Sequence, residues 1–387
     1  MFTNFPLSFF EVIMKNFAKV AALVLAAGMS ATIAGCAGCA SCMGCNSNAK
    51  TNTLTNSNWF TGTSYKGVQP SFIYDENKNY TKEIISYDVT YDNTNAINAS
   101  YTLEYDEGAF STEFYAFEYD WNTNKIENYK TDEKEILYAY KTRLAIKVRY
   151  TLKGGDKAQS QWFDDSVTTE CYFRPAGKSL QPVYSKQEIA STSPANFQTN
   201  VLENAYSRVE ENYENFYDFN CTEVTSVKNG NFSEPQIYKN FNKLKSTLFD
   251  NSSLYIALRS MRLSANFSQP VSLFSAATGG VSSYTVTGTD RALSDEERAS
   301  FTAILKGKGL YVPAAEDDKG VNAAAANVNF AGGDLAGTTQ TVWYASVDDP
   351  DYNVPRATML KISIPLSFSL GTLNITLKEI TSTIWNG

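Results

Sequence analysis

Histidine is absent from all 387 residues. Ser-His-Asp and Cys-His catalysis, histidine-bearing zinc sites and histidine-based pH switching are therefore excluded. Walker, G-x-G-x-x-G, HExxH and G-x-S-x-G patterns are missing too, and Gly154-Gly155 and Gly332-Gly333 sit between polar residues as hairpin or loop glycines. Charge is sparse, at 19% of residues, and sums to a formal −8. An acidic surface repels phosphate backbones, and no basic block with interleaved aromatics offsets it, which discounts nucleic acid as a partner. Long apolar runs are lacking as well. The best, Val20 to Gly35, falls short of the about 20 residues that a membrane span needs and is interrupted by Gly28, Ser30 and Thr32.

Cysteine is scarce, yet four of the six fall within Ile33-Ala34-Gly35-Cys36-Ala37-Gly38-Cys39-Ala40-Ser41-Cys42-Met43-Gly44-Cys45. Upstream, Lys15 and Lys19 precede the apolar run, which ends in small residues. This is the order of a secretory signal. Its last four residues, Ile33-Ala34-Gly35-Cys36, resemble the lipobox of bacterial lipoproteins. The resemblance covers Met14 to Cys36 and implies that the Cys36 thiol receives a diacylglyceryl group and that the peptide over 14–35 is cut away. Membrane contact through that lipid is the partner it implies, and its implied location is export to the outer side of the cytoplasmic membrane or the cell surface. Residues 1–13 are apolar and aromatic with Glu11 as their only charge, which does not suit an n-region. Translation is expected to start at Met14, with 1–13 a mis-translated leader.

A lipidated Cys36 leaves only Cys39, Cys42 and Cys45 as thiolates. A ferredoxin run needs a fourth ligand at a different spacing and an apolar, hydrogen-bonding shell, neither of which is here. No metal or other cofactor is expected. Thiols in an unstructured leader are the preferred reading, ahead of a second acylation or a local disulfide. From 36 to 58 the chain is mostly Gly, Ala, Ser, Asn and Thr, too poor in apolar mass to offset its ordering entropy. It reads as a flexible tether of about 25 Å root-mean-square reach.

Beyond the tether the composition turns aromatic, with 24 Tyr and 23 Phe beside many Thr, Asn and Ser, as in extracytoplasmic β-sheet. Leu144, Ile146, Val148 and Tyr150 alternate with charged Lys147 and Arg149, which predicts a one-sided strand. Ile85, Tyr87, Val89 and Tyr91 form a similar face, as do Tyr101, Leu103 and Tyr105. After an Asp106-Glu107-Gly108 turn, Tyr115, Phe117, Tyr119 and Trp121 continue it, and Val167, Thr169, Cys171 and Phe173 follow. Asp250-Asn251 caps a short helix bearing Leu254, Leu258 and Met261, and Ser294 with Glu297 forms a capping box for another through about Lys306. Leu360 to Leu370 predicts a long strand, with Gly371-Thr372 turning it back through Leu373, Ile375 and Leu377. Residues 314–337, with Ala323 to Ala326, read as a loop or insertion. The expected fold is mainly β, with two antiparallel β-sandwich-like or barrel-like domains: 59–180, and 181–387 carrying the one or two short helices.

Cys171 and Cys221 are the remaining cysteines, and export permits them to pair; two separate buried thiols are the alternative. Glu316-Asp317-Asp318, Asp348-Asp349-Pro350-Asp351 and the series Asp120, Asn122, Asn124 have oxygen ligands for calcium, although none completes an EF-hand and Asp/Asn turns are common without an ion. No catalytic residues are assigned. The functional expectation is a membrane-anchored, surface-exposed lipoprotein acting as a non-catalytic binding or interaction module, with a glycan or another surface protein as ligand. The alternative is a carbohydrate-binding or carbohydrate-active lipoprotein, a His-free glycosidase using Asp and Glu.

Overall fold

A computed structural model describes residues 79–98, 101–120, 134–154, 161–176, 179–194, 206–244, 247–259, 263, 266–313, 319–330, 339–346, 352–353, 357–366 and 369–386. The signal peptide, Cys36 and the tether lie outside the described residues. The fold is mainly β. In chain order come β1 (Asn79–Asp92), β2 (Tyr101–Asp120), β3 (Lys134–Leu152), β4 (Phe163–Ala176), β5 (Ser179–Pro194), β6 (Tyr206–Tyr217), β7 (Glu223–Lys228), β8 (Gln236–Lys239) and β9 (Thr247–Asp250). There follow α1 (Leu254–Arg259), β10 (Ser268–Ser275), β11 (Gly280–Thr289), α2 (Asp295–Gly307), β12 (Val312–Pro313), β13 (Ala323–Phe330), β14 (Thr339–Ala345), β15 (Tyr352–Asn353), β16 (Met359–Pro365) and β17 (Thr372–Asn386). Fifteen strands make one sheet, ordered β8-β7-β6-β5-β4-β3-β2-β1-β17-β16-β14-β13-β11-β10-β9, while β12 and β15 pair separately. Hydrogen bonding runs unbroken across the expected division at 180/181, which falls inside β5, paired with β4 on one side and β6 on the other.

Period-two alternation builds the inner face. Ile85, Tyr87, Leu144, Val148, Val167, Cys171 and Phe173 are all nearly inaccessible to solvent, as are Ile362, Leu373 and Ile375 from the far end of the chain. One core cluster takes in residues from Ile85 to Ile380. The expected turn at Asp106-Glu107-Gly108 is instead a bulge within β2, where the register against β3 shifts between Tyr105 and Gly108. One extra residue reverses the side-chain phase of a strand. Tyr101 and Leu103 thus face inward before the bulge and Phe110, Thr112 and Phe114 after it. Tyr115, Phe117 and Tyr119 lie on the other face, where Phe117 and Tyr119 join Tyr172 around Leu137 and Val183 in a second small cluster.

Two other expectations change. Ala323 to Ala326 open β13, a strand between β11 and β14, with Ala325 and Ala326 both buried. Four alanines carry no polar–apolar alternation to reveal a strand, and the pattern appears only from Asn327 on, where Val328 is buried between half-buried asparagines. The strand expected over Leu360 to Leu370 stops at Pro365, and the Leu366 N–H donates to the Gly371 carbonyl at 2.8 Å to close the connection to β17. Gly371 has φ +117°, and a Cβ there would lie 2.6 Å from the Asp92 carbonyl oxygen, so the turn requires glycine.

The two sheet edges meet through side chains. Phe274 of β10 packs against Tyr217, Tyr238 and Phe241, with ring centroids 5.8, 5.1 and 5.6 Å away. Between the edges the chain enters the interior. Asp250 caps a 3-10 turn, Asn251–Ser253, that runs into α1, and every residue from Asp250 to Leu258 is buried. This plug is fastened at three places. Asp250 accepts from Ser185 of β5 and Tyr217 of β6. Tyr255 accepts at its carbonyl from the Tyr344 hydroxyl at 2.7 Å, and its own hydroxyl accepts from Gln340, both of β14. Arg259 pairs with Glu83 of β1 at 2.7 Å. A ten-residue segment thereby links strands far apart in the sheet.

Candidate functional site

Catalysis by carboxylates requires acids facing open space, and the buried acids here face inward. Burial first of all holds the Asp250 carboxyl above the usual carboxylate range, against the opposing effect of the Ser185, Tyr217 and Ser252 donors. Asn215 adds a 2.9 Å hydrogen bond to the Ser185 hydroxyl. Asp165, on the inner face of β4, is pushed up to about 6 by burial, partly countered by the Thr192 N–H at 2.9 Å and Arg208 at 3.2 Å. Glu83 is engaged by Arg259, whose guanidinium also lies 6.0 Å from the Phe114 ring centroid. Each acid joins one element to another, and none of the three faces another across an open cleft.

Most of the residues singled out by sequence lie outside the described residues. Cys36 is outside the described residues, as are Asn122, Asn124, Glu316-Asp317-Asp318 and Asp348-Asp349-Pro350-Asp351. Asp120 ends β2, and among the described residues no group of three or more Cys, Asp or Glu is placed to hold a metal. Cys171 and Cys221 are free thiols. Cys171 lies on the inner face of β4; Cys221 occupies the β6–β7 turn at φ 51° and donates to the Pro182 carbonyl at 3.2 Å. Burial pushes the Cys221 thiol up to about 12 and Cys171 well above its ordinary value, so both are protonated at neutral pH and poor nucleophiles.

A run of rings crosses the outer face. Tyr115, Phe117, Tyr172, Tyr184 and Phe216 are neighbours in series, with Tyr119 beside Phe117 and Tyr172. Their planes meet at angles from 35° to 87°. Lys82 and Lys141 lie over Tyr115, and the Tyr184 hydroxyl donates to Glu214 at 3.1 Å. A sugar-stacking platform presents its ring faces to solvent, whereas these rings pack edge-to-face on one another, as aromatic pairs prefer.

Among the described residues, an open cleft of about 140 Å³ is lined by charged side chains that form no ion pair. The connection from β11, Thr289 to Leu293, forms one wall; Arg298 of α2 forms another; Asn322 and Ala323 at the start of β13 form the third. Local sequence explains the arrangement. Ser294 and Glu297 make a full capping box, which fixes where α2 begins and so sets Arg298 in its first turns. The connection is held at Arg291, whose guanidinium donates to Thr341 Oγ1 at 3.2 Å and whose carbonyl accepts the Trp343 indole N–H at 3.0 Å. Sequence reasoning found the cap and missed Arg291 and Arg298. The signal lay in Asp290-Arg291 just before the cap, but the third wall is about thirty residues further along the chain.

No family model matches the chain, and no curated protein matches it. Among solved structures, a β-barrel-like protein of a domain of unknown function from Brucella abortus is similar over 79% of this chain and 99% of its own, at 9% identity and a TM-score of 0.43.

Proposed function

We propose that this chain is an exported lipoprotein, held to the membrane by a diacylglyceryl group on Cys36, whose β body is a non-catalytic binding module for a glycan or another surface component. The anchor rests on Ile33-Ala34-Gly35-Cys36 and the signal-like run before it. The observation that carries the non-catalytic reading is the engagement of the three acids buried among the described residues, Glu83, Asp165 and Asp250, by partners within the fold. A glycosidase needs two carboxyls facing each other across an open site, several ångströms apart. Within the body, 59–180 would supply sheet wall, and 181–387 both wall and plug.

Metabolic labelling with a fatty acid tests the anchor. Each buried methylene contributes about 0.8 kcal/mol, and stable attachment needs more than one chain, so loss of the single acylated sulfur should release or strand the protein. Wild type should take up label and fractionate with membranes, and Cys36→Ala should do neither. Label persisting in Cys36→Ala would overturn the assignment.

A further inference from the structure

We propose that the cleft between Thr289–Leu293, α2 and the start of β13 binds a small oxyanion, a phosphate or carboxylate group, through Arg291 and Arg298. The Nε of Arg298 is buried and has no hydrogen-bond partner, and among the described residues no carboxylate forms an ion pair with either arginine. That nitrogen is itself closed to solvent, but the guanidinium charge it shares lines the cleft without an acid partner, and an oxyanion in the cleft would supply one. Guanidinium groups present paired N–H donors in a plane, matched to the two oxygens of a carboxylate or phosphate.

The cleft is also held in shape before any ligand arrives. The Arg291 contacts to Thr341 and Trp343 fix the connection. The Arg298 stem lies along Gly320, where an added Cβ would come within 3.1 Å of Arg298 Cγ, and the Val321 N–H donates to Thr302 of α2 at 2.8 Å. Little ordering is then needed on binding, which favours affinity. Asp290 lines the same space and pairs with neither arginine. Its carboxylate opposes bare multiply charged anions and accepts from hydroxyls, so the favoured ligand carries one oxyanion group and neighbouring hydroxyls, as a sugar acid or sugar phosphate does. On a chain of net charge −8, two arginines at one cleft make a local positive site.

This inference deepens the binding-module reading and rests on it only for the expectation that ligand is released unchanged. Full-length protein is titrated at low salt by calorimetry with inorganic phosphate and, separately, with glucuronate. One saturable site is expected for at least one probe, and the probe that binds identifies the group. Arg298→Gln and Arg291→Gln should each weaken it about tenfold or more, as loss of a charge-assisted hydrogen bond does. Arg291 is exposed, so its substitution tests the site even if Arg298→Gln unfolds the chain. Binding of neither probe up to about 10 mM, a free energy weaker than about −3 kcal/mol, would overturn the site. Binding that both substitutions leave intact would overturn it too. Chemical conversion of a bound sugar ligand would leave the site standing and overturn the non-catalytic reading instead.

Discussion

Glu83 and Arg259 offer the sharpest test of how the plug is held. The carboxylate is 2% exposed and the guanidinium 14%, and they meet at 2.7 Å. Burial alone would lower the Arg259 pKa, yet it is raised, because the charge and hydrogen bond of Glu83, together with Tyr87 and Tyr140, outweigh desolvation. Glu83→Gln keeps the shape and removes that charge, leaving a buried cation among the Phe114, Tyr87 and Tyr140 rings without a carboxylate. Breaking a buried pair from one side costs about 3 to 5 kcal/mol, a large share of the roughly 5 to 15 kcal/mol that holds a native protein. At about 2 to 4 °C per kcal/mol, the melting temperature should fall by roughly 6 to 20 °C. Glu83→Leu with Arg259→Met removes both charges, and should lie within about 2 kcal/mol of wild type or above it. Equilibrium urea unfolding and calorimetry on wild type, both singles and the double would measure the coupling. If Glu83→Gln loses less than about 1 kcal/mol, or the double loses the sum of the singles, the pair does not fasten the plug.

Other perturbations follow from the same geometry. Asp165 takes up its proton near pH 6 when folded and near 3.8 when unfolded, so the folded state binds more protons between these values; its contribution is greatest below about pH 4 and is lost as pH rises through 6, by roughly 3 kcal/mol in all. The stability difference between wild type and Asp165→Asn should shrink across that window, and a constant difference would refute the assignment. Asp250→Ala leaves the Ser185 and Tyr217 hydroxyls and the Ser252 N–H without their acceptor and should lose about 2 to 4 kcal/mol, whereas Asp250→Asn keeps an acceptor without the charge and should lose less; the reverse order in urea would sink this account. Replacing Cys39, Cys42 and Cys45 together by Ser should leave the melting temperature unchanged, while a drop of many degrees, with stoichiometric metal lost, would establish a structural metal in the leader.

The strands were legible wherever one face meets the core and the other meets water. Leu144 to Tyr150 shows this directly, since alternation of side chains is a local property of the chain. The bulge in β2 was not legible, because Asp106-Glu107-Gly108 has turn composition and only pairing with β3 decides between a turn and one extra residue. Little local signal reports on β13 either, because its first half is four alanines and only Asn327, Val328 and Asn329 alternate polar with apolar. The capping box at Ser294 was read correctly because both of its hydrogen bonds lie within four residues. Asp250-Asn251 was correctly read as a cap, but not as the entry to an interior plug. A short helix with a polar entry resembles a surface helix until its partners Ser185, Tyr217, Gln340 and Glu83 are known, and they come from four different strands.

That arrangement also explains where recognition can reside. Asp250 to Leu258 are all buried, so the plug takes up interior space that a ligand would otherwise enter, and the connections and the outer face of the sheet are the other places for binding. On that outer face the aromatic residues are already packed on one another beneath Lys82 and Lys141, and Glu113 and Glu170 pair with those lysines at 2.5 and 2.6 Å. Their charges cancel locally and leave little field. At the β11–α2 connection Glu297 is engaged by Lys361 and by the capping box at the helix start, while Arg298, one residue on, forms no ion pair among the described residues. The same cap that starts the helix thus occupies the carboxylate next to Arg298 in sequence. Charge left unpaired by local folding is what an ionic ligand can meet without first breaking an internal contact, and that places the cleft ahead of the aromatic face as the point of recognition.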